Sequence, residues 1–272
     1  MTARRSLPAT LTDYVALQPS GLPRGVTGMA LASAADAIVA AIREHGTLHG
    51  WAATQPGRRA MHGRGVAWAV KLPGWGDADG LRVVVRHSRH GGLLAPITGD
   101  LFLPPTRAPA ELTAALRLAA AGVPTPLVVA YATYAAPLPP FRRSDVATAE
   151  IENGHDLPAA LAHWPTERDA IVLAVARLIT ALTNAGARHP DLNVKNILLT
   201  LDGMDDAGSH RALAHVLDVD RVSFSGTGDE RVTQANLQRF THSARRWRER
   251  RGPLLDDAEL ATIERIVRTE AA

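Results

Sequence analysis

Three features of the 272-residue chain predict an α+β fold in two parts, a small β-rich half carrying one helix and a larger, mostly helical half. Short apolar runs bounded by Gly, Pro and Asp crowd the stretch between about residues 65 and 150. From Gly154 onward the apolar residues recur instead at three- and four-residue steps. Between a long helical pattern and a returning pair of strands stands one dense polar segment, "HPDLNVKNILL", residues 189–199.

Taken in order, residues 1–45 read as a loosely ordered lead-in followed by a helix near 31–45. "GVAWAVKL" and "LRVVVRH" are strand-like and flank the turn-rich "PGWGDADG", which makes them a hairpin. In "PAELTAALRLAAAG", Leu112, Ala115, Leu116 and Ala119 share one face, Pro109 lies near the start and Gly122 just past the end, so this is the single helix of the β-rich part. "PTPLVVAYATY" and "VATAEIE" complete a small antiparallel sheet that spans, with its helix, residues 46–152. The second part, 153–272, opens on "TERDAIVLAVARLITALTNAG". There Thr166 is the expected N-cap, Ile171, Val172, Val175, Leu178, Ile179 and Leu182 form the apolar face, and Gly186 closes the helix. "NILLTL", the Asp202-Gly203 turn and "ALAHVLDVD" then form a second hairpin, followed by helices.

Composition narrows the chemistry. No cysteine is present, which excludes disulfide frameworks, thiolate metal sites and thiol nucleophiles, and fits a reducing, cytoplasmic setting. "GMALASAADAIVAAI", the most apolar early run, is broken by Asp36 and falls short of the roughly 20 residues a bilayer demands. Net charge is only +3, but "RFTHSARRWRERR" (239–251) holds six arginines against one glutamate, a local field that attracts anions.

The polar segment has the spacing H-x-D-x-x-x-x-N, and Asp218 ends the strand that returns beside it. Phosphoryl transfer needs a carboxylate to orient the attacking hydroxyl, with an amide oxygen and a second carboxylate to hold magnesium against phosphates. Asp191 suits the first role, and Asn196 and Asp218 suit the second. Lys195 or His189 would neutralise or order the loop. The competing reading is a helix-to-strand turn whose polar side chains only cap backbone groups.

These residues, together with "GRGVAW" (63–68), "VVVRHSRHGGLLA" (83–95) and "VLDVDR" (216–221), resemble the protein-kinase-like fold. More narrowly they are similar to the lipopolysaccharide kinases that phosphorylate 3-deoxy-D-manno-octulosonic acid (Kdo), whose R-H-Y-R-x-G-G run "RHSRHGG" matches most specifically. The resemblance implies ATP and Mg2+ as cofactors and a nucleotide-covering loop at Gly63, Arg64 and Gly65. It places Arg86 where protein kinases carry a phosphate-contacting lysine, with Glu111 as its helix partner; Lys71 is the alternative, only six residues past Gly65. It also makes Glu150 to Glu152 an inter-lobe hinge whose backbone meets adenine, and puts Asp220 where protein kinases have glycine.

Arg245, Arg246, Arg248, Arg250 and Arg251 read either as a solvated helix face or as a contact for an anionic glycolipid or the anionic leaflet of a membrane. Nucleic acid is disfavoured by 4% aromatic content and the lack of a base-reading motif. The expected activity is therefore phosphorylation of Kdo in a lipid A precursor. A kinase of another acceptor (a protein, an antibiotic or another sugar) and a nonenzymatic anion-binding module remain as alternatives; the sequence leaves the oligomeric state open.

Overall fold

The computed structural model describes residues 10–18, 20–62, 65–76, 80–89, 99–204 and 210–271. Seven antiparallel strands form its main sheet: β1 (Tyr14–Ala16), β2 (Thr27–Leu31), β3 (Arg59–His62), β4 (Val66–Leu72), β5 (Leu81–His87), β6 (Val128–Ala135) and β7 (Arg142–Ala149). Their spatial order is β1-β2-β6-β7-β5-β4-β3. β5 alternates as a strand should, with Val83 and Val85 fully buried between more exposed neighbours. β7 is central and covered on both faces, so Ser144 to Thr148 are buried without alternation. β4 and β5 are the expected hairpin, pairing Lys71 with Arg82 and Ala67 with Arg86.

Three helices belong with this sheet: the one expected near 31–45, the one expected after Pro109, and a short one between them that was not expected. α1 (Ala35–His45) ends at Gly46 in the left-handed region (φ +75°), and α2 (Leu48–Thr54) is capped by Thr47, whose hydroxyl accepts from Gly50 N at 3.0 Å. Ile38, Ile42, Leu48 and Trp51 bury their side chains beneath them. α3 (Ala108–Ala120) gives Leu112 to the core and ends on Gly122 (φ +74°), where Val123 N returns to Leu118 O at 2.9 Å.

Of the lead-in and helix expected over residues 1–45, the helix is present and the stretch before it needs correction, because it belongs to the sheet. Thr27–Leu31 pairs with β6, the helix there begins only at Ala35, and β1 extends the sheet edge. β1 has three residues, too few for a periodic signal, and its anchor is distant: the buried Tyr14 hydroxyl donates to Val128 O.

Chain contacts divide the protein into two units, Met1–Leu116 with Leu127–Glu150, and Arg117–Pro126 with Ile151–Ala272. Arg117–Pro126 groups with the second unit because Val216 N donates to Pro124 O and Thr125 Oγ1 to Val216 O, at 2.9 and 3.0 Å.

The second unit contains α4 (Leu157–His163), α5 (Arg168–Asn184), α6 (Glu230–Arg251) and α7 (Asp257–Glu270). Its short sheets are β8 (His155–Asp156) on β10 (Ile197–Met204) on β11 (His210–Val216), and β9 (Ala187–Arg188) on β12 (Ser223–Phe224). α5 is the central element, packing on α6, α7 and β11 with Ile171, Val175, Leu178, Ile179 and Leu182 almost wholly buried. Truncating any of these to alanine removes about 2–5 kcal/mol. Thr166 is not its N-cap: Pro165–Glu167 form a 3-10 turn, the helix begins at Arg168, and no side chain caps it. Arg168 instead donates to Glu259, with Nη2 to Oε2 at 2.8 Å, tying the start of α5 to α7. Gly186 (φ +61°) turns the chain out of α5; a Cβ there would lie 2.5 Å from Ser225 O.

Candidate active site

The segment 189–196 leaves β9 and enters β10, and three asparagines or histidines hold its backbone. His189 is 2% exposed; its Nδ1 accepts from Asp191 N at 3.2 Å and its Nε2 donates to Leu217 O at 2.9 Å. One ring nitrogen accepting and the other donating is the pattern of neutral imidazole. Burial pushes its pKa down, outweighing the bond to Leu217 O and the charges of Asp218 and Asp191. Asn193 Oδ1 accepts from Lys195 N at 2.9 Å and Asn196 N at 3.2 Å, a local turn that returns the chain toward the strand. Asn196 Nδ2 donates to Asp191 O at 2.9 Å.

That last bond fixes the amide of Asn196. With nitrogen turned to Asp191 O, its Oδ1 remains as the acceptor, the atom a hard cation uses. Leu217 N donates to Asn196 O at 2.9 Å, so Asp218 follows directly on a residue whose backbone is bonded to Asn196. Asp218 adopts φ +59°, ψ +52°, a left-handed conformation uncommon for a residue with a side chain and found where structure over-determines the backbone. Val219–Arg221, including Asp220, form a 3-10 turn directly beyond it. An amide oxygen and a carboxylate fit magnesium, which takes few protein oxygens and keeps the rest of its shell for water and phosphate. No group of three or more His, Cys, Asp or Glu gathers for a metal among the described residues.

α6 runs along this loop and contacts it at regular steps. Asn236, fully buried, accepts from His189 N at 3.0 Å and donates to Ala187 O at 2.9 Å. Arg239 Nη2 donates to Asp191 Oδ1 at 2.7 Å, and Ser243 Oγ accepts from Val194 N at 3.2 Å. Lys195 lies 5.7 Å from the Trp247 ring and pairs with Asp156, the N-cap of α4, so it orders the loop from its outer side. Sequence reasoning missed Asn236, Arg239, Ser243, Asn193 and Asp156. A signal existed for Asn236, a polar residue on the same stripe as Leu237, Phe240 and Ala244.

In the first unit, Arg86 on β5 and Glu111 in the first turn of α3 form the expected ion pair, with Glu111 5% exposed. Lys71 is exposed on β4. Gly65 stands immediately before β4; Gly63 and Arg64 lie outside the described residues, as does all of the "RHGG" run beyond Arg89. Glu150 is engaged within its own unit: its carboxylate pairs with Arg59 and with Arg82 Nε at 2.6 Å, and its N–H donates to Arg82 O at 3.0 Å. Its amide is therefore committed to the sheet. Glu152 is exposed in the following turn.

His87, next to Arg86, was also overlooked. Its Nδ1 meets Asp145 Oδ1 at 2.6 Å and its Nε2 meets Asp100 Oδ2 at 2.9 Å. Burial alone lowers its pKa, yet bonds and charges from Asp145 and Asp100 raise it overall. Asp145 is fully buried and also accepts from His49 N at 2.8 Å.

The five arginines at the end of α6 differ among themselves. Arg248 donates to Asp257 Oδ1 at 3.0 Å and Leu255 O at 3.1 Å, Arg245 lies 3.6 Å from Asp257, and Arg251 stacks 5.6 Å from Trp247. Arg246 and Arg250 are exposed and form no ion pair among the described residues.

The model of the lipopolysaccharide kinase (Kdo/WaaP) family matches residues 50–258, most of the chain. The protein belongs to that family. Its members are phosphotransferases that act on a sugar hydroxyl, which excludes the nonenzymatic reading. Among curated relatives, a 3-deoxy-D-manno-octulosonic acid kinase of Vibrio parahaemolyticus is 28% identical over 220 residues, covering 76% of this chain and 84% of that one. The enzyme of the same name from Vibrio cholerae is 28% identical over 185 residues, 66% of this chain and 70% of that one. A solved structure, WaaP in complex with acyl carrier protein, aligns with 85% of this chain and 96% of its own at 21% identity and a TM-score of 0.47. As a family member this chain has the α+β, two-part fold expected of it, and no helix among the described residues is long and apolar enough to cross a membrane.

Proposed function

We propose that this lipopolysaccharide kinase transfers the γ-phosphoryl group of ATP, with Mg2+, to a hydroxyl of Kdo in a lipid A precursor. The observation that carries the reading is the way Leu217 is bonded on both sides, its N–H to Asn196 and its carbonyl to His189, which joins the H-x-D-x-x-x-x-N loop to Asp218. The names of the curated relatives support the acceptor. Asp191 orients the hydroxyl and accepts its proton as the new P–O bond forms and the bond to ADP breaks, the leaving oxygen keeping the electron pair. Asn196 and Asp218 hold Mg2+, which when bound offsets charge on the phosphates. His189 is a positioning residue rather than a proton carrier, because its neutral ring is committed at both nitrogens. Arg86, steadied by Glu111, takes the phosphate-contacting role that the family resemblance assigns it.

Incubation with labelled ATP, magnesium and a panel comprising a Kdo-bearing lipid A precursor, a neutral sugar, an aminoglycoside and a peptide tests the acceptor. Label on the Kdo precursor alone is expected, and label only on another member overturns it. Asp191→Asn and Asp218→Asn should each lower turnover by about 10²–10⁴-fold with the thermal midpoint unchanged. Turnover near wild type in both variants would falsify the assigned roles.

The membrane-facing role of the arginines rests on Arg246 and Arg250, since Arg245, Arg248 and Arg251 have contacts within the chain. Replacing these two with glutamine should weaken binding to anionic vesicles, most clearly at low salt. Vesicle binding that ignores both salt and substitution removes this role.

A further inference from the structure

Arg239 makes a contact that phosphoryl transfer does not require. Its guanidinium, 44% exposed, donates to one oxygen of the Asp191 carboxylate, itself 20% exposed. An alcohol oriented by that carboxylate draws on the same two oxygens, one of which the guanidinium already engages, so the arginine crowds the incoming hydroxyl and weakens the carboxylate as its acceptor. The backbone beneath it is fixed: Asn236 binds residues 187 and 189 on one side, and Ser243 binds Val194 on the other. Only the side chain is then left to move. A half-exposed ion pair exchanges readily, and guanidinium binds an incoming carboxylate as a two-pronged fork. Arg246, two helical turns along and exposed, lies on the same side of α6 as Arg239.

We propose that Arg239 is a latch that selects acidic acceptors: it pairs with Asp191 when no acceptor is bound and passes to the acceptor's own carboxylate, which releases Asp191 for the hydroxyl. This rests on the acidic-sugar reading above and assigns that sugar's carboxylate a partner. The same contact would restrain wasteful hydrolysis. With the latch closed, Asp191 is hindered from orienting a water whose oxygen bonds to the γ-phosphorus, as the bond to ADP breaks and the proton passes to the carboxylate.

Calorimetric titration with a Kdo-bearing lipid A precursor and with its carboxyl-reduced analogue, using wild type, Arg239→Gln and Arg239→Lys, reads the first half directly. Wild type should bind the acid at least tenfold more tightly than the reduced sugar, Arg239→Gln should bind both alike, and Arg239→Lys should fall between. With the acidic acceptor, KM in Arg239→Gln should rise tenfold or more while kcat stays within threefold. Hydrolysis of ATP without acceptor reads the second half and should rise at least threefold in Arg239→Gln. Retained discrimination in that variant overturns the latch, and so does acceptor-free hydrolysis no faster than wild type. If wild type binds neither sugar, the acidic-sugar reading fails, and the hydrolysis rate alone then decides for or against the latch.

Discussion

His87 and His189 are both largely buried, and each is bonded at both ring nitrogens, yet their protonation is driven in opposite directions. His87 lies between the carboxylates of Asp145 and Asp100, which raise its pKa despite burial. His189 lies between a backbone N–H and a backbone carbonyl, where burial prevails and lowers it. The partner decides the charge, and burial only sets what the partner must overcome. The β-rich unit thus braces the end of β5 with a charged cluster, while the helical unit braces the loop bearing Asp191 with a neutral one. A neutral brace adds no permanent charge beside the Asp191 carboxylate.

The contrast can be broken most severely at Asp145. Asp145→Ala leaves His87 without its buried partner and frees His49 N, at a cost of about 3–5 kcal/mol in chemical denaturation. A loss under about 1 kcal/mol would show that the cluster does not brace the sheet. A smaller effect comes from His215, whose Nδ1 is buried with no hydrogen-bond partner among the described residues and whose pKa burial takes down to about 4. The unfolded chain takes up this proton near the ordinary 6.5, so stability is intact above that pH and falls as pH drops toward 4. Wild type should lose roughly 2–3 kcal/mol from this group between pH 7 and 4.5, and His215→Phe should lack that part of the slope. Denaturation curves at the two pH values that remain parallel for both proteins would contradict this.

The smallest effect sharpens the comparison by sign alone. A raised pKa makes the stabilisation from His87 complete below 6.5 and lost as pH rises through its folded value. A lowered pKa makes that from His189 complete above 6.5 and lost as pH falls. The penalty of His87→Gln should therefore grow toward acid and that of His189→Gln should shrink, as urea midpoints between pH 5.5 and 8 would reveal. Slopes of the same sign would mean that one of the two rings has been assigned the wrong charge.

The parts legible in the sequence are those written locally. The spacing of His189, Asp191 and Asn196, the apolar face of α5 and the turn at Gly186 each lie within one segment. The Arg86–Glu111 pair was reachable because the order of elements placed a strand cation against a helix acid. Tyr14 and Val128, Asn236 and His189, and Arg239 and Asp191 belong to segments far apart in the chain, and nothing near either member names the other. The arginine-rich run likewise read as uniform, because a count of charges cannot distinguish an arginine that grips Asp257 from one that faces water.

Asn236, Arg239, Ser243 and Trp247 touch the loop from a single helix, separated by three, four and four residues. An α-helix turns by about 100° per residue. One residue inserted between Asn236 and Trp247 would swing every later contact a quarter-turn or more out of phase, even though no reacting group had been altered. The length of this stretch is therefore as tightly constrained as its composition, whereas the chain past Arg251 can change length without disturbing that phase.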